Sequence, residues 1–193
     1  MTVLMKIKQA NANIIAKDSG LDDMALELLA QYSDSSEYLN QLIEQKLYPD
    51  AVRFLANALP KREATWWACL CARHVLNDKT PPAEVKAIEL AEAWVYKPNE
   101  DTRKPTLAAA EAVSHNTPAS WAAMSAFWSG NDISPTPQAI IPPSETLYAK
   151  AVIGAVMLAA TQVAPDKVAD TYQLFLQQGI DIANGGDGRS KTA

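Results

Sequence analysis

The chain is short of glycine, cysteine and histidine, and each shortage removes a class of chemistry. Seven glycines in 193 residues supply no phosphate-cradling loop and no Gly-x-Ser-x-Gly elbow. The two histidines, His74 and His115, stand far apart and form no His-Glu-x-x-His pair, so a zinc-hydrolase helix is excluded. The two cysteines, Cys69 and Cys71, fall in a segment with helical pattern, where a separation of two places them roughly 200° apart around the axis. They can neither pair with each other nor share a metal there, and a reduced, buried, small-apolar role suits a cytoplasmic protein. Long apolar runs are missing too. The longest, residues 151–160, reaches at most Ala164 across Thr161 and Gln162, short of the ~20 residues that cross a bilayer. The first residues lack the apolar stretch and cleavage pattern of a secretory signal. With a net charge of -5 and scattered basic residues, there is no source for the counterion release that drives nucleic-acid binding.

What the chain does have is alanine, leucine and tryptophan at helical spacing. Hydrophobic residues make up 48% and charged residues 20%, a balance that folds into a core. The length suits one helical domain over residues 1–184, with 1–18 as a loose arm and 185–193 as a polar, glycine-rich tail that does not order itself. Few β-branched runs and no strict alternation predict an all-α fold, an irregular multi-helix bundle of eight or nine helices with partly repeat-like antiparallel pairs.

The predicted helices follow from their start and stop signals. Residues 21–32 place Leu21, Met24, Leu28 and Leu29 on one face. Residues 36–46 start at a Ser35 or Ser36 cap and turn Leu39, Leu42 and Ile43 inward. Pro49 opens 50–58, Pro60 opens the central helix to Leu76, and Thr80-Pro81-Pro82 opens a helix to about Val95. Pro105 interrupts the alanine-rich stretch 101–113, so its helix is predicted to begin there. Thr117-Pro118 opens 119–128, closed by Gly130. Residues 131–144 hold Pro135, Pro137, Pro142 and Pro143 and read as either an extended connector packed by Ile140 and Ile141 or a mobile loop, the former favoured since an exposed isoleucine pair is costly. Residues 145–163 and 166–184 complete the set.

The central segment gathers Arg62, Glu63, Trp66, Trp67 and Arg73. Glu63, Trp66, Trp67 and Leu70 occupy adjacent tracks of one broad face. A buried Glu63 would need Arg62 or Arg73 as partner, and a structural ion pair over the core is the favoured reading against a polar ligand pocket beside indoles. Cys71 and His74 are three apart, but they lie where the helix dipole opposes a thiolate, so a nucleophile is not expected. Asp22, Asp23 and Glu27 share a helix start and read as a solvated face rather than a magnesium or calcium site. Trp121, Met124 and Trp128 repeat at three and seven residues. Such stripes are usually core, yet tryptophan is enriched in interface hot spots. Together with Trp94 and the neighbouring Ile140 and Ile141 they form the candidate partner groove.

The string Leu59-Pro60-x-Arg62-Glu63-Ala64-x-Trp66-Trp67-Ala68-Cys69 resembles the signature of a family of small bacterial proteins catalogued as a domain of unknown function, across about residues 47–183. The resemblance implies a bacterial, cytoplasmic accessory protein and an association with type VI secretion gene neighbourhoods. It carries over no catalytic residue. The combined expectation is a non-enzymatic helical interaction module with a protein partner and no metal, cofactor, nucleic acid or membrane span, its oligomeric state left open. The alternatives are a small-molecule or lipid binder, with the ligand between the Trp66/Trp67 helix and the helix at Ala151, and an enzyme with dispersed carboxylates around Arg62 and Arg73.

Overall fold

The computed structural model describes residues 4–134 and 140–189. The described residues form α1 (Ala12–Ala16), α2 (Asp23–Leu29), α3 (Ser35–Glu44), α4 (Tyr48–Ala58), α5 (Lys61–His74), α6 (Pro82–Tyr96), α7 (Glu100–Glu111), α8 (Pro118–Trp128), α9 (Leu147–Thr161) and α10 (Val168–Ala183). A 3-10 turn at Pro165–Lys167 leads into α10. The fold is all-α and packed as a bundle, and no strand occurs among the described residues. Contacts sort the chain into two compact units, one running up to Pro60 and resuming at Val163, the other spanning Lys61–Gln162.

In the first unit, an aromatic pair anchors the packing: Tyr38 and Phe54, both fully buried, meet edge to face at 4.9 Å. The Tyr38 hydroxyl donates to Ala25 O at 2.8 Å, and burial, with help from the nearby Asp50 charge, pushes its pKa up to about 12. Asp50, 3% exposed, accepts from the Asp22 N–H and from Arg53, both at 3.0 Å, so its carboxylate is paired as a buried charge must be. The N-terminal segment is tied down by Lys6 N–H to Ala183 O at 2.7 Å and Lys8 N–H to Ala58 O at 2.9 Å. Asn11 then caps the single-turn α1, which the sequence pattern does not announce. Beyond α10, the Gly186 N–H donates to Asp181 O and the Gly188 N–H to the Asp181 carboxylate, both at 2.9 Å. Residues 190–193 of the expected tail lie outside the described residues.

The second unit packs through small residues. Ala64, Ala68, Ala122, Ala126, Ala151, Ala155 and Ala159 are all fully buried, which lets helix backbones approach closely around Trp67, Ile88 and Tyr148. This alanine surface decides which side of each helix faces in.

Four local expectations are corrected. Met24 is 65% exposed whereas Ala25 is fully buried, so the short α2 turns its alanine inward. Asp34, not Ser35 or Ser36, caps α3 by accepting from the Ser36 and Glu37 N–H groups; a charged acceptor at the positive helix end outcompetes a hydroxyl. The helix α7 begins at Glu100, five residues before Pro105. Asn99 and Thr102 form a reciprocal capping box there, which fixes the first turn firmly enough for the proline to ride in the second. Gly130 does not provide the left-handed helix terminator expected of it, since its φ is not among the positive ones. A Cβ at Gly130 would overlap the Arg103 side chain, so this glycine makes room for a buried cation.

Candidate functional site

The helix α5 spends its chemistry internally. Ala64, Trp67, Ala68 and Cys71 form its inward track and are fully buried. Arg73 grips the Glu92 carboxylate of α6 with Nε at 2.5 Å and Nη2 at 2.6 Å, a bidentate pair that raises the guanidinium pKa through the Glu92 hydrogen bonds. Arg62 donates from Nε to Val95 O at 2.6 Å, satisfying a carbonyl in the last turn of α6 that has no partner of its own. The pairing expected between Glu63 and either arginine is therefore replaced by two ties to α6. The physical reason is geometry: Arg62, one position before Glu63, points to another side of the helix, ten residues separate Glu63 from Arg73, about 15 Å along an axis, and Glu63 is only half-buried, whereas Glu92 projects from the neighbouring helix. Trp66 lies against Tyr96 with ring centroids 5.9 Å apart. Burial pushes the thiols of Cys69 and Cys71 well above the ordinary range, a setting that disfavours the thiolate form. His74 is exposed while Cys71 is buried, which separates that pair.

The helix α8 does the opposite. Thr117 caps it by accepting from the Ser120 N–H, with Pro118 in the first turn. Its alanines 119, 122, 123 and 126 take the buried side, leaving Trp121 and Trp128 partly exposed along the other, with Met124 at 9% between them. The helix α7 runs antiparallel beside it, held at one end by Arg103 Nη1 to Phe127 O at 2.8 Å and at the other by Ser120 Oγ to Ala110 O at 3.0 Å. Along this seam Leu107 and Glu111 of α7, His115 of the connecting loop, and Trp121, Met124 and Trp128 of α8 line a cleft of about 330 Å³.

Its geometry is set from below. A Cβ on Gly154 of α9 would sit 3.1 Å from Trp121 Cδ2, so the indole lies against bare backbone there. Trp121 and Trp128 meet at 6.1 Å with planes 62° apart, and His115 stands 6.5 Å from Trp121. The single hydroxyl proton of Ser120 goes to Ala110 O. The 3.2 Å contact between Ser120 Oγ and His115 Nδ1 then requires the ring nitrogen to be the donor. Ser120 is thus a committed structural hydroxyl, and the Ser-His contact is a tether for the ring.

Of the candidate groove residues, the structure brings Trp121, Met124 and Trp128 together. Trp94, 6% exposed, belongs to the core. Ile140 and Ile141 are 80% and 46% exposed, which corrects the expectation that they pack the connector. Polar bonds join its described ends instead: the Asp132 carboxylate accepts from the N–H groups of Ile141 and Ser134, each at 2.9 Å. The Ile133 N–H donates to Ile141 O at 2.8 Å. These bonds, from the Ile141 N–H first, hold the Asp132 carboxyl below its ordinary pKa. Pro135 and Pro137 fall outside the described residues.

Sequence reasoning missed Arg103. Only 3% exposed, its guanidinium takes the Glu100 carboxylate at 2.6 and 2.8 Å, donates to Phe127 O and lies 4.9 Å from the Phe127 ring centroid. Glu100 three residues earlier was the available signal, hidden by the assumption that the helix began at Pro105.

Two other clefts lack comparable features. One of about 640 Å³ lies along the end of α10 by Gln177, Gln178 and Asp181, and one of about 370 Å³ lies at the ends of α5, α6, α8 and α9 by Asn77, Lys79 and Glu84. Among the described residues, no three His, Cys, Asp or Glu side chains gather as a metal would require; the Asp22 carboxylate lies 3.3 Å from Arg53. No helix of the described residues is long and apolar enough to cross a membrane.

The chain belongs to the family of unknown function DUF6931, which matches residues 38–183. No curated protein and no solved structure matches it.

Proposed function

We propose that the chain is a non-enzymatic interaction module, an adaptor or accessory factor that docks a protein partner along the α7–α8 seam. One observation carries this: Trp121, Met124 and Trp128 line an open cleft, while the alanines behind them do the packing. Indoles and a thioether at a surface concavity are the side chains that most often dominate binding energy. What supports a bacterial, cytoplasmic setting and an assembly of the type VI secretion kind is the resemblance of the Leu59–Cys69 string to a family of small bacterial proteins.

The ligand-binding alternative gains no observation. Between α5 and α9, where a small molecule was the alternative, Trp67, Tyr148, Ala151 and Ala155 are buried to within 1% of complete, and the Lys61 ammonium lies 6.0 Å from the Tyr148 ring centroid.

The test is affinity capture from a native host with the wild-type chain, Trp128→Ala and, as a control on the opposite side of the chemistry, Arg73→Met. The reading expects one specific protein to be retained by the wild type and by Arg73→Met and lost with Trp128→Ala. Equal retention by all three would remove the groove from the account.

A further inference from the structure

Resting on the docking reading above, we infer that the groove is built for a cationic side chain, an arginine presented by a basic segment of the partner protein. The lining residues are two indoles, one imidazole, one thioether, one leucine and a single charged group, the Glu111 carboxylate. No lysine or arginine is among them. Aromatic faces carry negative quadrupole potential, and a carboxylate beside them adds to it, so the electrostatic complement of this cleft is positive. Neither an apolar helix face nor an acidic segment meets that demand: the first leaves Glu111 desolvated without a partner, and the second adds like charge.

The same helix pair already shows which cation these parts accept. Near the start of α7, Glu100 holds the Arg103 guanidinium bidentately while that guanidinium lies over the Phe127 ring of α8. Glu111 follows Glu100 by eleven residues, about three turns, which returns it to nearly the same track of α7. In the groove the aromatic of α8 is tryptophan, the strongest of the three ring types for a cation. Carboxylate from α7 and ring from α8 are thus repeated along the seam, and here the guanidinium comes from the partner. Arginine fits better than lysine because its planar fork stacks on an indole and takes a carboxylate through two parallel bonds.

The Trp121–Trp128 pair refines the pose. With centroids 6.1 Å apart, the two rings touch each other and leave no slot for a group between them. The guanidinium must therefore lie on an outward indole face with its edge toward Glu111, reached from solvent rather than threaded.

A direct test uses an acetylated, amidated four-arginine peptide, its four-citrulline counterpart of the same shape without charge, and a four-leucine peptide. Binding is followed through the indole N–H resonances of Trp121 and Trp128, with those of Trp67 and Trp94 as internal controls. The inference expects the arginine peptide to move the Trp121 and Trp128 signals selectively. Citrulline should bind about tenfold more weakly, and Glu111→Gln, an exposed and conservative change, should weaken the arginine peptide several-fold. If citrulline or leucine peptides bind the same two indoles as tightly, the cationic inference falls and the docking groove survives. If no peptide moves them, or the arginine peptide moves only other signals, both fall.

Discussion

The helices α5 and α8 each carry a pair of tryptophans, yet only on α8 are both members partly exposed. On α5, Trp67 is fully buried and the charged neighbours are tied to α6 through Glu92 and Val95 O. On α8, Trp121 and Trp128 are partly exposed in a cleft that also contains Glu111. The difference comes from where alanine sits. On α5 the small residues Ala64, Ala68 and Ala72 share the buried side with the indole of Trp67. On α8 the alanines 119, 122, 123 and 126 take that side together with Ser120, Ser125 and Phe127, and the two indoles are the side chains left partly exposed. On α8 that close packing leaves the two indoles outside the layer, whereas on α5 the alanines make room for one.

The largest effect that sharpens this contrast is Trp67→Ala, expected to cost about 4 kcal/mol through lost burial and the cavity left behind. Trp128→Ala should stay within about 1 kcal/mol, and urea titrations of both variants measure the gap. Equal losses would erase the distinction between the two helices. Next comes the buried cation that ties α7 to α8. Arg103→Met leaves Phe127 O without its donor and should cost about 2 to 3 kcal/mol.

Its partner Glu100 titrates, with the Arg103 hydrogen bonds holding its pKa below the ordinary 4.5. A depressed carboxyl stabilises the fold fully above about pH 4.5, its unfolded value, and loses that contribution as pH falls through the lower folded value. Melting temperatures of wild type and Glu100→Gln should therefore differ at pH 6 and converge toward pH 3. With Glu100 57% exposed, the gap at pH 6 should be small and shrink further with salt. On α5, the Arg73–Glu92 bridge is bidentate but its arginine is 39% exposed. Arg73→Met should cost only about 0.5 kcal/mol, read in the same titrations; a loss as large as that of Arg103→Met would show that α5 depends on its surface charge.

The smallest predicted change in stability is Gly154→Ala. Helix propensity favours alanine by about 1 kcal/mol, while the new methyl presses on the Trp121 indole from 3.1 Å. The two nearly cancel, so stability moves little and the Trp121 indole N–H resonance moves visibly. An unmoved resonance would mean that α9 does not set the ring.

Helix content was readable from the sequence because prolines 49, 60, 118 and 165 and the cap Thr117 punctuate strong helix formers. The stripe Trp121-Met124-Trp128 was readable as a face, and its direction was not. Hydrophobicity alone sends tryptophan inward, whereas close helix packing selects alanine, and only the assembled bundle says which rule governs a given side. Arg103 and Gly130 escaped for a related reason: their relation spans two helices and has no spacing in the chain. The isoleucine pair at 140 and 141 failed as a burial signal because the Asp132 carboxylate ties residues 134 and 141 through their N–H groups. That polar closure leaves the two side chains at the surface.

The most direct measurement is the broadening of individual indole N–H resonances by a soluble gadolinium chelate. The account predicts strong broadening for Trp121 and Trp128 and sharp signals for Trp67 and Trp94. Protected Trp121 and Trp128 signals, or broadening at Trp67 as strong as at Trp128, would contradict a solvent-reachable indole pair on α8 and leave the groove without its walls.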